Sequence, residues 1–318
     1  MVTLEDVLEA QHVIAGRLHR TPLLSAHSLG EMAQPHVRLF LKAELLQKTG
    51  AFKVRGALNK LAGVSAEQKQ RGLITVSAGN HAQAVAWSAA AEGVPATVVM
   101  AETAVRSKVN ATRGYGAEVV LFGTSMAGIF DHAHQLERER GLLFIPPFDD
   151  PRIIAGQGTV GLEILEDLPD PDVVIAPCGG GGLVSGVAVA IKARRPQTRI
   201  VLVEPEGAPS MHKAVAAGKP VPLEKITTIA DGLSAPFAGE LTLAIVQKLV
   251  DDLVLVTDEE ISSALGLVLE RCKLLPEPAA AASIAALLSG KVKVNEGEKV
   301  VAILSGGNID RERLKQVL

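Results

Sequence analysis

Four consecutive glycines, Gly179, Gly180, Gly181 and Gly182, stand between two apolar runs, DVVIAPC and LVSGVAVAIKARR. The first run has the length and β-branched content of a buried strand, and the second has the length of a helix. No side chain covers the backbone across the glycines. Several N–H groups are therefore left free where the helix begins, which makes a cup for a phosphate, aided by the positive end of the helix. A flexible turn is the plainer reading, but strand, glycine turn and helix occur in the order a phosphate site needs. A nucleoside-triphosphate loop is excluded because Val187, not Lys, follows Gly186. A dinucleotide fingerprint is nearly met: Gly180-x-Gly182-x-x-Ser185, with Glu204 lying 22 residues beyond Gly182. A nicotinamide or flavin oxidoreductase is thus a rival on these residues, weakened by the missing third glycine.

The same alternation runs through much of the chain. LITVS, ATVVM, AEVVLFG and LLFIP read as short strands, separated by helices over NHAQAVAWSAAAEG, SKVNATRGYG and MAGIFDHAHQLERERG. A second series has IAGQGTVGLEILEDL as helix, DVVIAPC as strand, LVSGVAVAIKARR as helix and RIVLVE as strand. DEEISSALGLVLERCKLL and PAAAASIAALLSG follow as helices, and VVAILSGGN as a strand. Short apolar strands between helices imply parallel β-α-β units. The fold expected is α/β, with two doubly wound parallel-sheet lobes and a cleft between them. A length of 318 residues suits two lobes, and 47% hydrophobic residues suffice for their cores.

Composition removes other classes. The net charge is −3, with no basic tract, and aromatics make up 3%, so nucleic acid is not expected as a partner. Cys178 and Cys272 form no C-x-x-C pair, which argues against a disulfide framework or a cysteine zinc site and suits a cytoplasmic setting. The N-terminal MVTLEDVLEAQHVIAGRL lacks the basic-then-apolar order of a signal peptide, and no apolar run reaches membrane-spanning length.

In open parallel sheets, ligands sit outside the carboxyl ends of the strands. Besides the glycine run, two strand ends carry polar turns. SAGNH brings Ser77, Asn80 and His81 to a helix N-terminus, suited to a carboxylate or merely to capping. SGGN brings Ser305, which could cap a turn or meet a ring atom of a buried cofactor. One lysine also stands out. In KTGAFKVRGALNKL, residues 48–61, T-G-A-F reads as the start of a helix and places Lys53 at its beginning. A lysine there is ordinarily a solvated charge.

Taken in order, KTGAFKVRGA, SAGNHAQAVA, IAGQGT, CGGGGLVSG, VEPEGA, EPAAAA and LSGGN resemble the fold-type II pyridoxal-phosphate enzymes (tryptophan synthase β-like), in particular the threonine (serine) dehydratase and serine racemase group. The resemblance spans nearly the whole chain. It implies that Lys53 is the Schiff-base lysine and pyridoxal 5'-phosphate the cofactor. Gly179, Gly180, Gly181, Gly182 and Leu183 would hold the phosphate. Phe52 would pack on one ring face, with Gly232 leaving room on the other. Asn80 would bond the ring hydroxyl, Ser305 would face the pyridine nitrogen, and Glu277 would lie near the ring or serve only as an acid at a helix start. Ser77, Ala78, Asn80 and His81 would take the substrate carboxylate. The implied domains are 1–48 with 147–318 for the cofactor and 49–146 for the substrate. A homodimer is implied, with an amino acid as the small-molecule partner.

Within that group the chain looks dehydratase-like. Racemase members carry a serine immediately before Gly-Asn-His to act on the second face of the α-carbon, and here that residue is Ala78, which has no proton to give. Phe148 stands where racemases tend to have Asn, and Pro146 where His is usual. By ungapped spacing Ile129 falls where a racemase has a substrate-contacting Arg, which disfavours hydroxyaspartate. β-Elimination of L-threonine and L-serine is expected, ahead of elimination from phenylserine or hydroxyaspartate and ahead of racemisation. A catalytically silent amino-acid-binding protein is made improbable by Lys53 and Ser305. VEPEGAPS resembles a divalent-cation site in some relatives, but Ser210 replaces the Asp that would complete Glu204 and Ala208, and no metal is expected. The sequence runs only to Leu318, so feedback by isoleucine through an added C-terminal domain is not expected.

Overall fold

The computed structural model describes all 318 residues. In chain order it contains α1 (Leu4–Ile14), β1 (Leu23–Ser25), α2 (His27–Ala33), β2 (Arg38–Ala43), α3 (Lys53–Ala62), α4 (Ala66–Arg71), β3 (Leu73–Val76), α5 (Asn80–Ala91), β4 (Ala96–Met100), α6 (Arg106–Gly114), β5 (Glu118–Leu121), α7 (Met126–Arg140) and β6 (Leu143–Phe144). There follow α8 (Pro151–Asp167), β7 (Val173–Pro177), α9 (Gly182–Arg194), β8 (Arg199–Pro205), α10 (Ser210–Ala217), α11 (Glu240–Leu249), β9 (Asp252–Val256), α12 (Asp258–Leu267), α13 (Pro278–Leu288), β10 (Lys299–Leu304) and α14 (Arg311–Val317).

The strands form two sheets. The smaller has the order β5-β4-β3-β6 and is wholly parallel. The larger has the order β1-β2-β10-β7-β8-β9 and is parallel except where β1 lies antiparallel on β2. Every residue of β3, β4 and β7 is buried, as expected for parallel strands covered on both faces. One apolar core lies between the large sheet and α12 and α13, and another between that sheet and α8, α9 and α11. The small sheet has its own cores on its two faces. No helix is long and apolar enough to cross a membrane.

Several elements differ from the sequence expectation. The helix expected from Ile154 begins at Pro151, because Asp150 caps it and proline suits the first helical position. The long helix expected over 258–275 breaks after Leu267 into a π turn, Val268–Cys272, and ends at Lys273 with φ 60°. LLFIP gives only two strand residues. The alternation did not reveal β1, β2, α10, α11 or β9. Of these, β1 has three residues and β9 is a half-exposed edge strand, so both carry weak patterns.

Candidate active site

The start of α3 is built by a tight turn. Thr49 (φ 63°) and Gly50 (φ 71°) turn the chain, and Ala51 forms an antiparallel bridge with Gly306 just beyond β10. Phe52 N–H donates to the Ser305 carbonyl (3.1 Å), and Gly307 N–H donates to the Gly50 carbonyl (2.9 Å). These bonds fasten Lys53, the first residue of α3, to the carboxyl end of β10. Its ammonium lies deep in the protein, although part of the side chain remains open to the cleft. Its hydrogen bond is to the Pro147 carbonyl at 2.7 Å, and its Nζ is 5.3 Å from the centre of the Phe52 ring. Burial lowers the Lys53 pKa to about 8, against the opposing pull of Glu277.

Two sets of unused N–H groups accompany it. The N–H groups of Gly179, Gly180, Gly182 and Leu183 have no protein acceptor, although Gly180, Gly182 and Leu183 are buried. Gly181 takes φ 95° where the loop enters α9. Its neighbours leave no room for side chains: a Cβ on Gly180 would fall 2.3 Å from the Phe148 ring. At the end of β3, the N–H groups of Ala78, Asn80 and His81 are likewise without acceptors, while the Ser77 hydroxyl accepts from Gly79 N–H at 3.2 Å. Both sets suit anions.

Asn80 and Glu277 join the two lobes. Asn80 Nδ2 donates to Glu277 Oε1 at 2.7 Å, and Asn80 Oδ1 accepts from Asn308 Nδ2 at 2.8 Å. Asn308 also donates to the Thr49 carbonyl at 2.7 Å. Glu277 sits at the N-cap of α13 but its side chain caps nothing there. Burial pushes its carboxyl up to about 7, with the Asn80 bond acting the other way. Gly232 lies beside it, where a Cβ would fall 2.9 Å from Ala279 Cβ and 3.5 Å from Glu277 Oε1. Gly232 and Leu233 in turn back Gly179. Ser305 is buried at the end of β10, where its carbonyl accepts from Phe52 N–H.

Thus Lys53, Phe52, Gly179 to Leu183, Gly232, Glu277, Ser305 and Asn80 are linked around one cleft. His81 sits beside them, but its ring turns away. Nε2 is 3.1 Å from the Ile145 carbonyl, and burial, with Lys53 nearby, lowers its pKa to about 3. Only its backbone N–H is free to serve a ligand. Ile129 does not face the cleft. It is buried in the small-lobe core with Ile74, Val76 and Val99. Sequence reading passed over Pro147, whose carbonyl meets Lys53, and Asn308, although the SGGN motif was visible. It also passed over Arg55. This fully buried residue donates to Glu44 at 2.8 Å and to Glu163 at 2.6 Å, and Lys42 joins Glu163 at 2.6 Å.

The dinucleotide reading fails at Glu204. Its carboxylate accepts from Met211 N–H (2.7 Å), His212 N–H (2.8 Å) and the Ser210 hydroxyl (3.2 Å), and it is fully buried, out of reach of a ribose. By contrast the cleft fits pyridoxal 5'-phosphate. It offers an amine of lowered pKa for an aldehyde, buried N–H groups without acceptors for a phosphate, and the buried Ser305 hydroxyl group for a ring atom.

Comparison with known proteins agrees. Over all of this chain and 78% of the relative, it is 45% identical to the L-threonine ammonia-lyase of Thermotoga maritima. It is 43% identical to the catabolic L-threonine dehydratase of Escherichia coli, over 99% of this chain and 96% of that one. The structure of maize serine racemase superposes with a TM-score of 0.94 at 41% identity, covering 99% of this chain and 96% of the other. Residues 14–306 match the family described as "Pyridoxal-phosphate dependent enzyme". With the match spanning both sheets and every strand end that opens on the cleft, the chain belongs to this family of pyridoxal-phosphate dependent enzymes.

Proposed function

We propose that this enzyme is an ammonia-lyase that eliminates the β-hydroxyl from L-threonine, and also from L-serine, giving a 2-oxo acid and ammonia. The observation that carries the reading is Lys53: a buried amine of lowered pKa between two sets of unpaired N–H groups. Relatives named for threonine deamination support the substrate.

In this reading the N–H groups of Gly179 to Leu183 hold the cofactor phosphate, Phe52 and Gly232 flank the ring, and Asn80 and Glu277 address its hydroxyl edge. The cofactor supplies an electron sink for the pair left when the α-proton goes. Ser305, a neutral hydroxyl, would face the ring nitrogen and would leave that sink weaker than a carboxylate partner would. This suits elimination, where the electron pair is passed on at once. The N–H groups of Ala78, Asn80 and His81, with the Ser77 hydroxyl, orient the substrate carboxylate. Lys53 removes the α-proton from one face. Ala78 offers no acid on the other face, so elimination proceeds with little racemisation, although maize serine racemase is a structural neighbour. The released enamine hydrolyses in water. Residues 49–146 form the substrate lobe, and 1–48 with 147–318 the cofactor lobe. We read the enzyme as a cytoplasmic homodimer, and equilibrium sedimentation would reject the dimer if it gave the monomer mass.

The test is spectral and chemical. The purified enzyme should absorb near about 410 nm, and borohydride should bleach the band and leave added mass on Lys53. Threonine should yield 2-oxobutyrate, and Lys53→Ala should abolish turnover with the fold intact. A band with inert threonine would move the reading to phenylserine or 3-hydroxyaspartate. Retained activity in Lys53→Ala would end it.

A further inference from the structure

Helix α11 is capped from outside. Its N-cap, Gly239, has no side chain to offer, and Asp149, far away in sequence, takes the role. The Asp149 carboxylate accepts from the N–H groups of Glu240 (3.0 Å), Leu241 (3.0 Å) and Thr242 (3.1 Å). Glycine at 239 makes room for it, since a Cβ there would fall 2.2 Å from the Asp149 carboxylate. From the first turn of α11, the fully buried Thr242 donates its hydroxyl to the Gly180 carbonyl at 2.8 Å. It also packs on the next residue of the loop, where a Cβ on Gly181 would lie 2.8 Å from Thr242 Cβ. The segment bearing Asp149 also supplies the Pro147 carbonyl that meets Lys53 and the Phe148 ring that covers Gly180.

We infer that Thr242 and Asp149 are positioning residues for the cofactor phosphate. Thr242 holds the plane of the Gly180–Gly181 peptide, and so the turn at Gly181 and the direction of the flanking N–H groups. Asp149 anchors Thr242 by fixing the first turn of α11 to the segment that also meets Lys53. Both residues act through the backbone, Asp149 on the first turn of α11 and Thr242 on the Gly180 carbonyl. The inference rests on the cofactor reading above and adds to it the parts that shape the phosphate cup.

The experiment titrates apoprotein with pyridoxal 5'-phosphate and, separately, with pyridoxal, which lacks the phosphate. Wild type, Thr242→Val, Thr242→Ser and Asp149→Asn are compared, with a thermal melt of each apoprotein. Loss of one buried hydrogen bond predicts that Thr242→Val raises the apparent Kd for the phosphorylated form about tenfold. The Kd for pyridoxal should stay unchanged, so the preference for phosphate falls by the same factor. Thr242→Ser should restore it, and Asp149→Asn should fall between. An unchanged preference in a folded Thr242→Val overturns the inference. So does equal loss of both ligands, or unfolding of Thr242→Val together with a normal preference in Asp149→Asn, because the role would then be structural. If wild type itself develops no absorption band, the cofactor reading falls, and this inference with it.

Discussion

At the scale of single residues, the site is marked by groups whose surroundings oppose their ordinary state. Glu277 is the clearest. It occupies a helix N-cap, yet burial holds its carboxyl at about 7, and it accepts from Asn80 rather than from its own helix. A carboxyl whose folded pKa is raised favours folding while protonated, and it loses that advantage as pH rises through the window from its ordinary value to about 7. Glu277→Gln keeps an acceptor for Asn80 without the charge. In thermal melts of the apoprotein it should match wild type near pH 4, below the carboxyl's ordinary value, and be more stable at pH 8, by up to about 3 kcal/mol. Equal stability at both pH values would contradict this. Ala78 carries the second residue-scale prediction. If the proposed function holds, Ala78→Ser would supply an acid on the face opposite Lys53, and chiral analysis of L-serine reactions should show D-serine rising several-fold over wild type. These residues were legible because SAGNH, EPAAAA and the lysine motif are local in sequence. The turning away of His81 was not, since its partner Ile145 lies 64 positions on.

At the scale of elements, three helices meet backbone to backbone. A Cβ on Gly186 of α9 would fall 2.3 Å from the Ile154 carbonyl of α8, and one on Gly156 of α8 would fall 2.6 Å from the Arg55 carbonyl of α3. Glycines at these crossings let α3, α8 and α9 approach closely, and this sets the distance between Lys53 at the head of α3 and the glycine loop at the head of α9. The IAGQGT motif owes its glycines to this contact. Gly186→Ala should therefore destabilise the fold by about 1–3 kcal/mol and weaken cofactor binding, measured by denaturant unfolding and titration. Arg55 fastens the other side of α3. It lies between Glu44, beyond β2, and Glu163 on α8. Arg55→Met leaves the buried Glu44 without its cation and Glu163 with Lys42 alone, and should cost about 3–5 kcal/mol. A loss under about 1 kcal/mol would refute that role. Periodicity marks α3 as amphipathic, but it does not reveal that a charged residue on it is fully buried, because its partners come from distant elements.

At the scale of the whole molecule, the two sheets place three strand ends, of β3, β7 and β10, around one cleft. The unpaired N–H groups there leave the apoprotein with polar demand that a ligand can meet. Cofactor at about 1,000 times its Kd should raise the unfolding free energy by about 4 kcal/mol, seen as a higher melting temperature, and Lys53→Ala should show less of this gain. No shift on adding the cofactor would count against the site.

The sequence by itself determined the fold class, the glycine cup, the lysine and the three polar strand ends. Each of these is written in a contiguous run, where strand period, helix period and glycine content act on neighbouring residues. Only the tertiary structure decided which carbonyl receives Lys53, that Glu204 serves α10 rather than a ribose, that Ile129 is core, and that Asp149 caps α11. Each of those depends on groups far apart in the chain. Burial removes water as the alternative partner, so the packing of elements, and not the local pattern, selects the partner each polar group finds.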